Sequence, residues 1–329
     1  MCTGLCLETK DGKHLFGRNL DVPGPYGQSV HIIPRNFEWF NVVDQKTYQS
    51  KYACIGMGII SDNHPFIFDA VNEKGLAGAG LNFIAFAHFS DQPQEGKTNI
   101  SGSDFVYWAL SNFSDLKELK DALKDLNITN IPFKPSLPVA GLHWIFTDLS
   151  GKSIVVECMS DGMHVYDNPV GVLTNDPTFP WHLNNLCQYV GLQNHMPEPK
   201  KMGDLTVHPF GHGLGMKGLP GDASPASRFV RTVFFRDCIT EANDEISGIT
   251  AFFNVLMTVS VIKGCDIDHE NEMDHTLYKS AMCQESGTYY YTDYHNRRIN
   301  AVRMHEADLD GKDIISFDYH NEQDILFQN

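Results

Sequence analysis

The sequence has 329 residues, 42% of them hydrophobic and 11% aromatic, and carries a formal net charge of −16. A chain of this size can bury a large core, and its acidity argues against nucleic acid or an anionic membrane surface as a partner, because both select for Lys and Arg. We find no apolar run of about 18 residues or more and no basic segment followed by an apolar stretch, so the sequence predicts neither a transmembrane helix nor a signal peptide and favours the cytoplasm.

The first half of the chain alternates between apolar and polar residues and then changes to helical periodicity. Strands are predicted at 14–20, 29–34, 51–60, 66–71 and 76–83. Helices are predicted at 103–113 and 115–126. Ser101 or Ser103 is expected to cap the first of these helices.

The second half returns to strands at 142–148, 153–159 and 163–167, followed by helices at 224–239 and 245–262 and a C-terminal meander at 276–282, 288–294 and 298–304. This order lacks the regular strand–helix alternation of a parallel doubly wound sheet. It favours an α+β fold with two antiparallel sheets stacked between helical layers. No repeat, low-complexity tract or charged linker divides the chain, so residues 1–329 are expected to form one domain.

The eight cysteines contain no C-x-x-C pair and no regular spacing, which argues against a zinc site or a disulfide framework. The segment 308–313 (DLDGKD) lacks the spacing of a calcium loop, and a turn is expected there. Neither a Walker A loop nor a complete G-x-G-x-x-G motif is present. We therefore predict no metal and no cofactor.

The N-terminal hairpin contains Asp11-Gly12, a strong signal for a two-residue turn. A type I′ turn at this position would place Cys2 directly opposite Asp21, with Cβ atoms about 4.5–5.5 Å apart. The same register would turn Arg18 toward the opposite, apolar face. With this register Arg18 reaches Cys2 only if a bulge or the end of a strand redirects it.

If Met1 is removed, Cys2 becomes the N-terminus and carries a free α-amine beside its thiol. An α-amine titrates near 7.7–8.0 and a Cys thiol near 8.5, so proton transfer between the two groups is nearly balanced at neutral pH. Cys2 is therefore a candidate nucleophile with its own base. Taken alone, a Cys at this position is far more often an ordinary strand residue.

Six sequence blocks, the first of which contains Cys2, give this residue a context. They are MCTG (1–4), FGRNLD (16–21), IIPRN (32–36), NEKGLAGAGLNF (72–83), GVLTNDPTF (171–179) and GLPGDASPASRFV (218–230). Together and in this order they resemble the choloylglycine hydrolase and penicillin V acylase family. The resemblance implies an N-terminal nucleophile hydrolase fold, a four-layer αββα sandwich, and hydrolysis of acyl amides without a metal or organic cofactor. It also implies a homotetramer.

The resemblance assigns roles residue by residue. It implies that Cys2 is the nucleophile, that Asp21 holds its amine and that Arg18 lies beside its thiol. Arg228 completes the polar cluster. Two guanidinium groups would favour the thiolate by charge.

Two asparagines complete the implied site. Asn82, through its backbone N–H, and Asn175, through its side-chain amide, are expected to form the oxyanion hole. Such donors stabilise the tetrahedral intermediate of acyl transfer, each contributing about 10²–10³ in rate.

Asn82 within GLNF resembles the bile salt hydrolase branch of the family, and the resemblance implies a substrate slot lined by Leu20, Phe133 and Leu137. The tripeptide GHG at 211–213 resembles a form linked in the family to taurine conjugates. We therefore predict hydrolysis of glycine- or taurine-conjugated bile salts. The alternatives are an acylase of penicillin V or another acyl amide, such as an acyl-homoserine lactone, and a non-catalytic protein that binds steroids or acyl chains.

Overall fold

The structure is a computed structural model that describes residues 1–329. The strands are β1 (Cys2–Glu8), β2 (His14–Val22), β3 (Ser29–Ile33), β4 (Glu38–Asn41), β5 (Lys46–Gln49), β6 (Cys54–Ser61), β7 (His64–Asn72), β8 (Ala77–Asn82), β9 (Thr98–Ser101), β10 (Leu126–Thr129), β11 (Leu142–Thr147), β12 (Ser153–Met159), β13 (Gly162–Asp167), β14 (Val172–Leu173), β15 (Lys200–Met202), β16 (Leu205–Val207), β17 (Asp266–Ile267), β18 (Met273–Cys283), β19 (Thr288–Asp293), β20 (Asn300–Arg303) and β21 (Ile315–Phe317). The α-helices are α1 (Phe105–Asn112), α2 (Leu116–Leu123), α3 (Phe179–Asn185), α4 (Pro225–Asp237) and α5 (Glu245–Met257).

Two large antiparallel sheets dominate the fold. Sheet 1 has the strand order β14-β1-β2-β18-β19-β20, with β17 pairing β18, and sheet 2 has the order β13-β12-β11-β8-β7-β6-β3-β21. Each sheet takes strands from both ends of the chain, β1 with β18–β20 in sheet 1 and β3 with β21 in sheet 2. The two sheets are therefore built together.

Helices cover the outer faces of both sheets. Phe229 of α4 and Phe252 of α5 belong to one buried cluster with Leu15 of sheet 1. Phe105 of α1 belongs to a second cluster with Trp144 of sheet 2. The result is the predicted four-layer αββα arrangement, and the fold prediction is confirmed.

The helix boundaries follow local capping chemistry, with one difference from the prediction. Asp115 caps α2 by accepting from the backbone N–H of Glu118, and Asp244 caps α5 within a capping box. The N-cap of α1 is Asp104, so the prediction of a serine cap was wrong. The Asp104 carboxylate accepts instead from Nε2 of buried His64, at 2.8 Å.

The prediction missed several short elements, including α3 and strands of two to four residues such as β14. Segments this short contain too few residues to show a periodicity. None of the five α-helices is long and apolar enough to cross a membrane.

The β1–β2 hairpin has a register that differs by one residue from the predicted one. Cys2 pairs with Leu20 rather than Asp21. Thr9 N–H donates to the carbonyl of Lys13 at 2.9 Å, and Gly12 has φ 82°, which is the three-residue hairpin loop with a left-handed Gly. The longer loop shifts the register by one residue and thereby exchanges the two faces of β2.

Candidate active site

A cavity of about 480 Å³ lies against the inner face of sheet 1, and Cys2 and Arg18 form part of its wall. The remaining wall is mostly apolar. It includes Leu20 and Leu137, two of the three predicted slot residues. The third, Phe133, is not part of the lining; it stacks on His64, with ring centroids 4.4 Å apart, behind the lining residue Phe66.

The cavity opens where two neighbouring strands of sheet 2 separate. The pairing between β7 and β8 ends at Asp69 and Ala79, although β8 continues to Asn82. Beyond this point β8 keeps only β11 as a partner, and Phe66 and Phe68 of β7 line the cavity instead. Backbone groups of β8 that would otherwise bond to β7 are therefore available to other partners.

Cys2 begins β1 on the face that looks toward sheet 2. The observed register places Arg18 on this face, and its Nη2 donates to the Sγ of Cys2. Its Nη1 donates to the carbonyl of Gly80, one of the β8 groups without a β7 partner. The unexpected hairpin loop thus brings Arg18 to the thiol without a bulge in β2, and Asp21 occupies the opposite face.

Arg18 is buried among acidic groups. Asp69, also fully buried, accepts hydrogen bonds from the hydroxyls of Tyr278 and Tyr289. Burial opposes the charged form of Arg18, but the neighbouring acidic groups, first Cys2, outweigh it and raise the pKa of Arg18 above its ordinary value. Burial also opposes the charged form of Asp69 and so raises its pKa, while Arg18 and the two hydroxyls oppose this rise. The guanidinium therefore stays charged beside the Cys2 thiol.

Asn175 lies opposite Cys2, two residues beyond the last β1–β14 pair, Gly4 with Leu173. Its Oδ1 accepts from the backbone N–H of Cys2 at 2.8 Å and from Nη2 of Arg228 at 2.7 Å. The Nη1 of Arg228 also donates to the carbonyl of Cys2, and burial lowers the pKa of Arg228. Arg228, from α4, thus links Cys2 to Asn175.

Two donors face the region beside Cys2. Because Asn175 Oδ1 accepts two hydrogen bonds, its Nδ2 is the donor; one hydrogen goes to the carbonyl of Asn82 at 2.8 Å and the other is free. Phe83 N–H donates to Gly141, so the alternation along β8 turns the N–H of Asn82 toward the side where β7 has departed. The two predicted oxyanion donors are therefore brought together.

Asp21 and the terminal residue lie beside Cys2, where β1 begins and β2 ends. One carboxylate oxygen of Asp21 accepts from the hydroxyl of Thr276 at 2.5 Å, and the other, Oδ2, is buried without a partner. The ammonium of Met1 donates to the Asp21 carbonyl and to the carboxylate of Asp274, at 2.9 Å. With Met1 in place, no hydrogen bond joins the Asp21 carboxylate to Cys2.

Three buried residues behind Asn175 were not predicted. His143 bonds to the carbonyl of Thr174 and to Glu157, and His182 bonds to the carbonyl of Asn175. A signal for two of them was present, because His143 and Glu157 interrupt the apolar residues of the predicted strands LHWIFTD and SIVVECM. A charged or polar residue in such a run needs a specific partner when it is buried.

No group of three or more His, Cys, Asp or Glu side chains is arranged to hold a metal ion. In the 308–313 segment, Asp310 forms an ion pair with Arg35 at 2.8 Å, and Asp308 accepts from the Asp310 N–H within a turn.

Comparison with known proteins places this site in a family. Residues 2–317 match the linear amide C–N hydrolases of the choloylglycine hydrolase family. A bile salt hydrolase/transferase from Clostridium perfringens (strain 13 / Type A) is 47% identical over 330 residues, covering all of both chains. The crystal structure of the C2A mutant of conjugated bile acid hydrolase from Clostridium perfringens is 46% identical with a TM-score of 0.95, again covering all of both chains.

A more distant structure shares the fold. Penicillin V acylase from Agrobacterium tumefaciens has a TM-score of 0.77 at 20% identity, covering 96% of this chain and 90% of that one. The profile match and the full-length similarity lead to one conclusion. This chain belongs to the choloylglycine hydrolase family of linear amide C–N hydrolases.

Proposed function

We propose that the protein is a bile salt hydrolase that cleaves the amide bond of glycine- or taurine-conjugated bile acids with Cys2 as its nucleophile. The observation that carries the proposal is the position of Cys2 in the wall of a largely apolar cavity of about 480 Å³. A steroid needs such an apolar site with few polar anchors. The names of the relatives from Clostridium perfringens support the same substrate.

The reaction begins once Met1 is removed. The nitrogen of Cys2, which lies 2.8 Å from Asn175 Oδ1, then becomes an α-amine. The unpartnered Oδ2 of Asp21 is the acceptor proposed to hold this amine, because a buried carboxylate oxygen without a partner is costly. The amine takes the thiol proton, and the thiolate attacks the amide carbonyl.

Attack places a negative charge on the carbonyl oxygen. The N–H of Asn82 and the free Nδ2 hydrogen of Asn175 donate to this oxyanion. The C–N bond then breaks, glycine or taurine leaves with the proton from the α-ammonium, and the acyl group remains on Cys2 as a thioester. Water hydrolyses the thioester and releases the bile acid.

The deciding experiment measures amine release with ninhydrin from taurocholate and glycocholate, beside hydrolysis of penicillin V, on protein whose mass confirms loss of Met1. We expect bile salt turnover in clear excess over penicillin V, and no turnover in Cys2→Ala with an unchanged melting temperature. Turnover of penicillin V or another acyl amide in place of bile salts would indicate the acylase. Affinity for bile salts without amine release, together with indifference to iodoacetamide, would indicate a binding protein.

The finer properties are also proposals. We infer a single domain over residues 1–329, because each sheet takes strands from both ends of the chain. A homotetramer and a preference for taurine conjugates are inferred from the family resemblance, the latter from GHG at 211–213. The cytoplasmic location predicted from the sequence pattern is likewise a proposal. Light scattering on the purified protein tests the tetramer, and the ratio of the two amine-release rates tests the preference.

A further inference from the structure

Thr174 and Asn175 lie beyond the end of a very short strand. β14 comprises only Val172 and Leu173, and its pairing with β1 ends at Leu173. The next two residues, which include an oxyanion donor, therefore lack the ladder hydrogen bonds that hold a strand in place. Their carbonyl groups need other donors.

Two histidines supply those donors to consecutive carbonyls. Nε2 of His143 lies 3.0 Å from the carbonyl oxygen of Thr174, and Nε2 of His182 lies 2.8 Å from that of Asn175. A carbonyl oxygen only accepts, so both rings carry a proton on Nε2. The imidazoles thus take the place of the missing ladder.

His182 is itself held tightly. It lies on α3, is fully buried and stacks on Phe229, the residue after Arg228, with ring centroids 4.7 Å apart. Its Nδ1 has no partner, and burial lowers the pKa of His182 to about 4. The ring is therefore a neutral donor at neutral pH.

His143 connects both halves of the oxyanion hole. Its ring stacks on Phe83, the residue after Asn82, with centroids 4.4 Å apart and an interplanar angle of 7°. Its Nδ1 lies 3.1 Å from Oε1 of Glu157, which also accepts from the N–H of Phe179, the first residue of α3, at 2.9 Å. Glu157 therefore fixes both the His143 ring and the start of the helix that carries His182.

We propose that His143 and His182 are positioning residues for the oxyanion hole, which hold the Thr174–Asn175 backbone so that Asn175 Nδ2 and Asn82 N–H converge on one point. This inference rests on the proposed hydrolysis through Cys2. A donor misplaced by about 1 Å can cost about 10²-fold in rate, so the two hydrogen bonds affect kcat although neither ring touches the substrate.

The test compares His182→Met, which keeps the bulk and loses the donor, with His182→Gln, whose amide N–H can take the place of Nε2–H. We expect kcat for amine release to fall about 10–100-fold in His182→Met with little change in KM, and most of this loss to be restored in His182→Gln. Alkylation of Cys2 by iodoacetamide forms no oxyanion, so we expect its rate to stay at the wild-type value in both variants. His164→Met, a substitution of a partly exposed histidine on β13, controls for the loss of a histidine elsewhere.

His143→Met and His143→Gln give a second, independent pair should His182→Met fail to fold. A wild-type kcat in the folded Met variants would overturn the inference, and so would equal loss of amine release and of alkylation, since that shows general disruption of the site. Failure of the proposed function is distinguishable, because it would appear in the wild-type protein as absence of amine release from bile salts. The variants are then compared on whichever linear amide the wild-type protein hydrolyses.

Discussion

The two faces of β11 and β12 differ although the same strands form both. Toward the helices, Trp144, Phe146, Ile154 and Val156 pack in an apolar cluster with α1 and α2. Toward sheet 1, the alternate positions include His143 and Glu157, both fully buried. One face is therefore held by apolar packing, and part of the other is held by directed hydrogen bonds.

Charged and polar groups of β11 and β12 are buried on the face toward sheet 1. A buried ionisable pair rarely stabilises a fold more than an apolar pair of the same volume does. Here the pair lies one hydrogen bond from Thr174, next to Asn175, and the opposite face of β11 and β12 holds no buried pair of ionisable side chains. The polar face therefore serves the geometry of the site, and the two faces are expected to respond differently to substitution.

The largest effect is expected for Glu157→Leu on the polar face. The substitution leaves Nδ1 of His143 and the N–H of Phe179 buried without a hydrogen-bond partner. We expect a loss of about 3–5 kcal/mol in the free energy of unfolding, measured by urea denaturation at neutral pH. The matched control on the apolar face, Ile154→Leu, keeps the side-chain volume and should cost less than about 1.5 kcal/mol. Equal losses in the two variants would contradict the distinction between the faces.

A somewhat smaller effect is expected from pH, because His182 has a pKa of about 4 in the folded protein against an ordinary value of 6.5. Above about pH 6.5 the residue is neutral in both states, and as the pH falls toward 4 the unfolded chain takes up the proton first. The free energy of unfolding should therefore fall by about 3 kcal/mol between pH 6.5 and pH 4. Urea unfolding at several pH values should show this loss in the wild type and in Ile154→Leu. In His182→Gln this pH-dependent loss should be absent. A difference in the free energy of unfolding between wild type and His182→Gln that stays constant with pH would contradict the prediction.

The two faces also differ in how much of them can be predicted from the sequence. Alternating apolar residues predicted β12 at the residues where it occurs, 153–159, and the family and fold predicted from six short blocks are confirmed. Each of these signals is contained in a short stretch of chain. His143 and Glu157 interrupt the same kind of pattern, but their partners at Thr174 and Phe179 are distant in sequence, so their purpose became visible only in three dimensions.

The predicted site residues show the same limit. The structure brings Cys2, Arg18, Asn82, Asn175 and Arg228 together as the family blocks implied, and their roles remain proposals. The hairpin register was wrong because Asp11-Gly12 fits two loop lengths, and sequence alone does not distinguish a two-residue turn from a three-residue loop with a left-handed Gly. The assignment of Phe133 to the slot depended on how one loop packs, and its stacking on His64 takes it behind the lining.

The smallest effect concerns the loop that decides which face of β2 looks toward Cys2. Gly12 has φ 82°, and a Cβ added to it would meet no atom within 4 Å, so Gly12→Ala tests the backbone conformation alone. We expect a loss of about 1 kcal/mol in the free energy of unfolding. Gly191→Ala is the control, because Gly191 has equally open space without a positive φ and should lose nothing. Because Cys2 and Arg18 are held by contacts remote from this loop, we expect the rate of Cys2 alkylation to be the same in both variants as in the wild type. A changed rate in Gly12→Ala would mean that the loop, and not the packing of the two sheets, keeps Arg18 on the face that carries the Cys2 thiol.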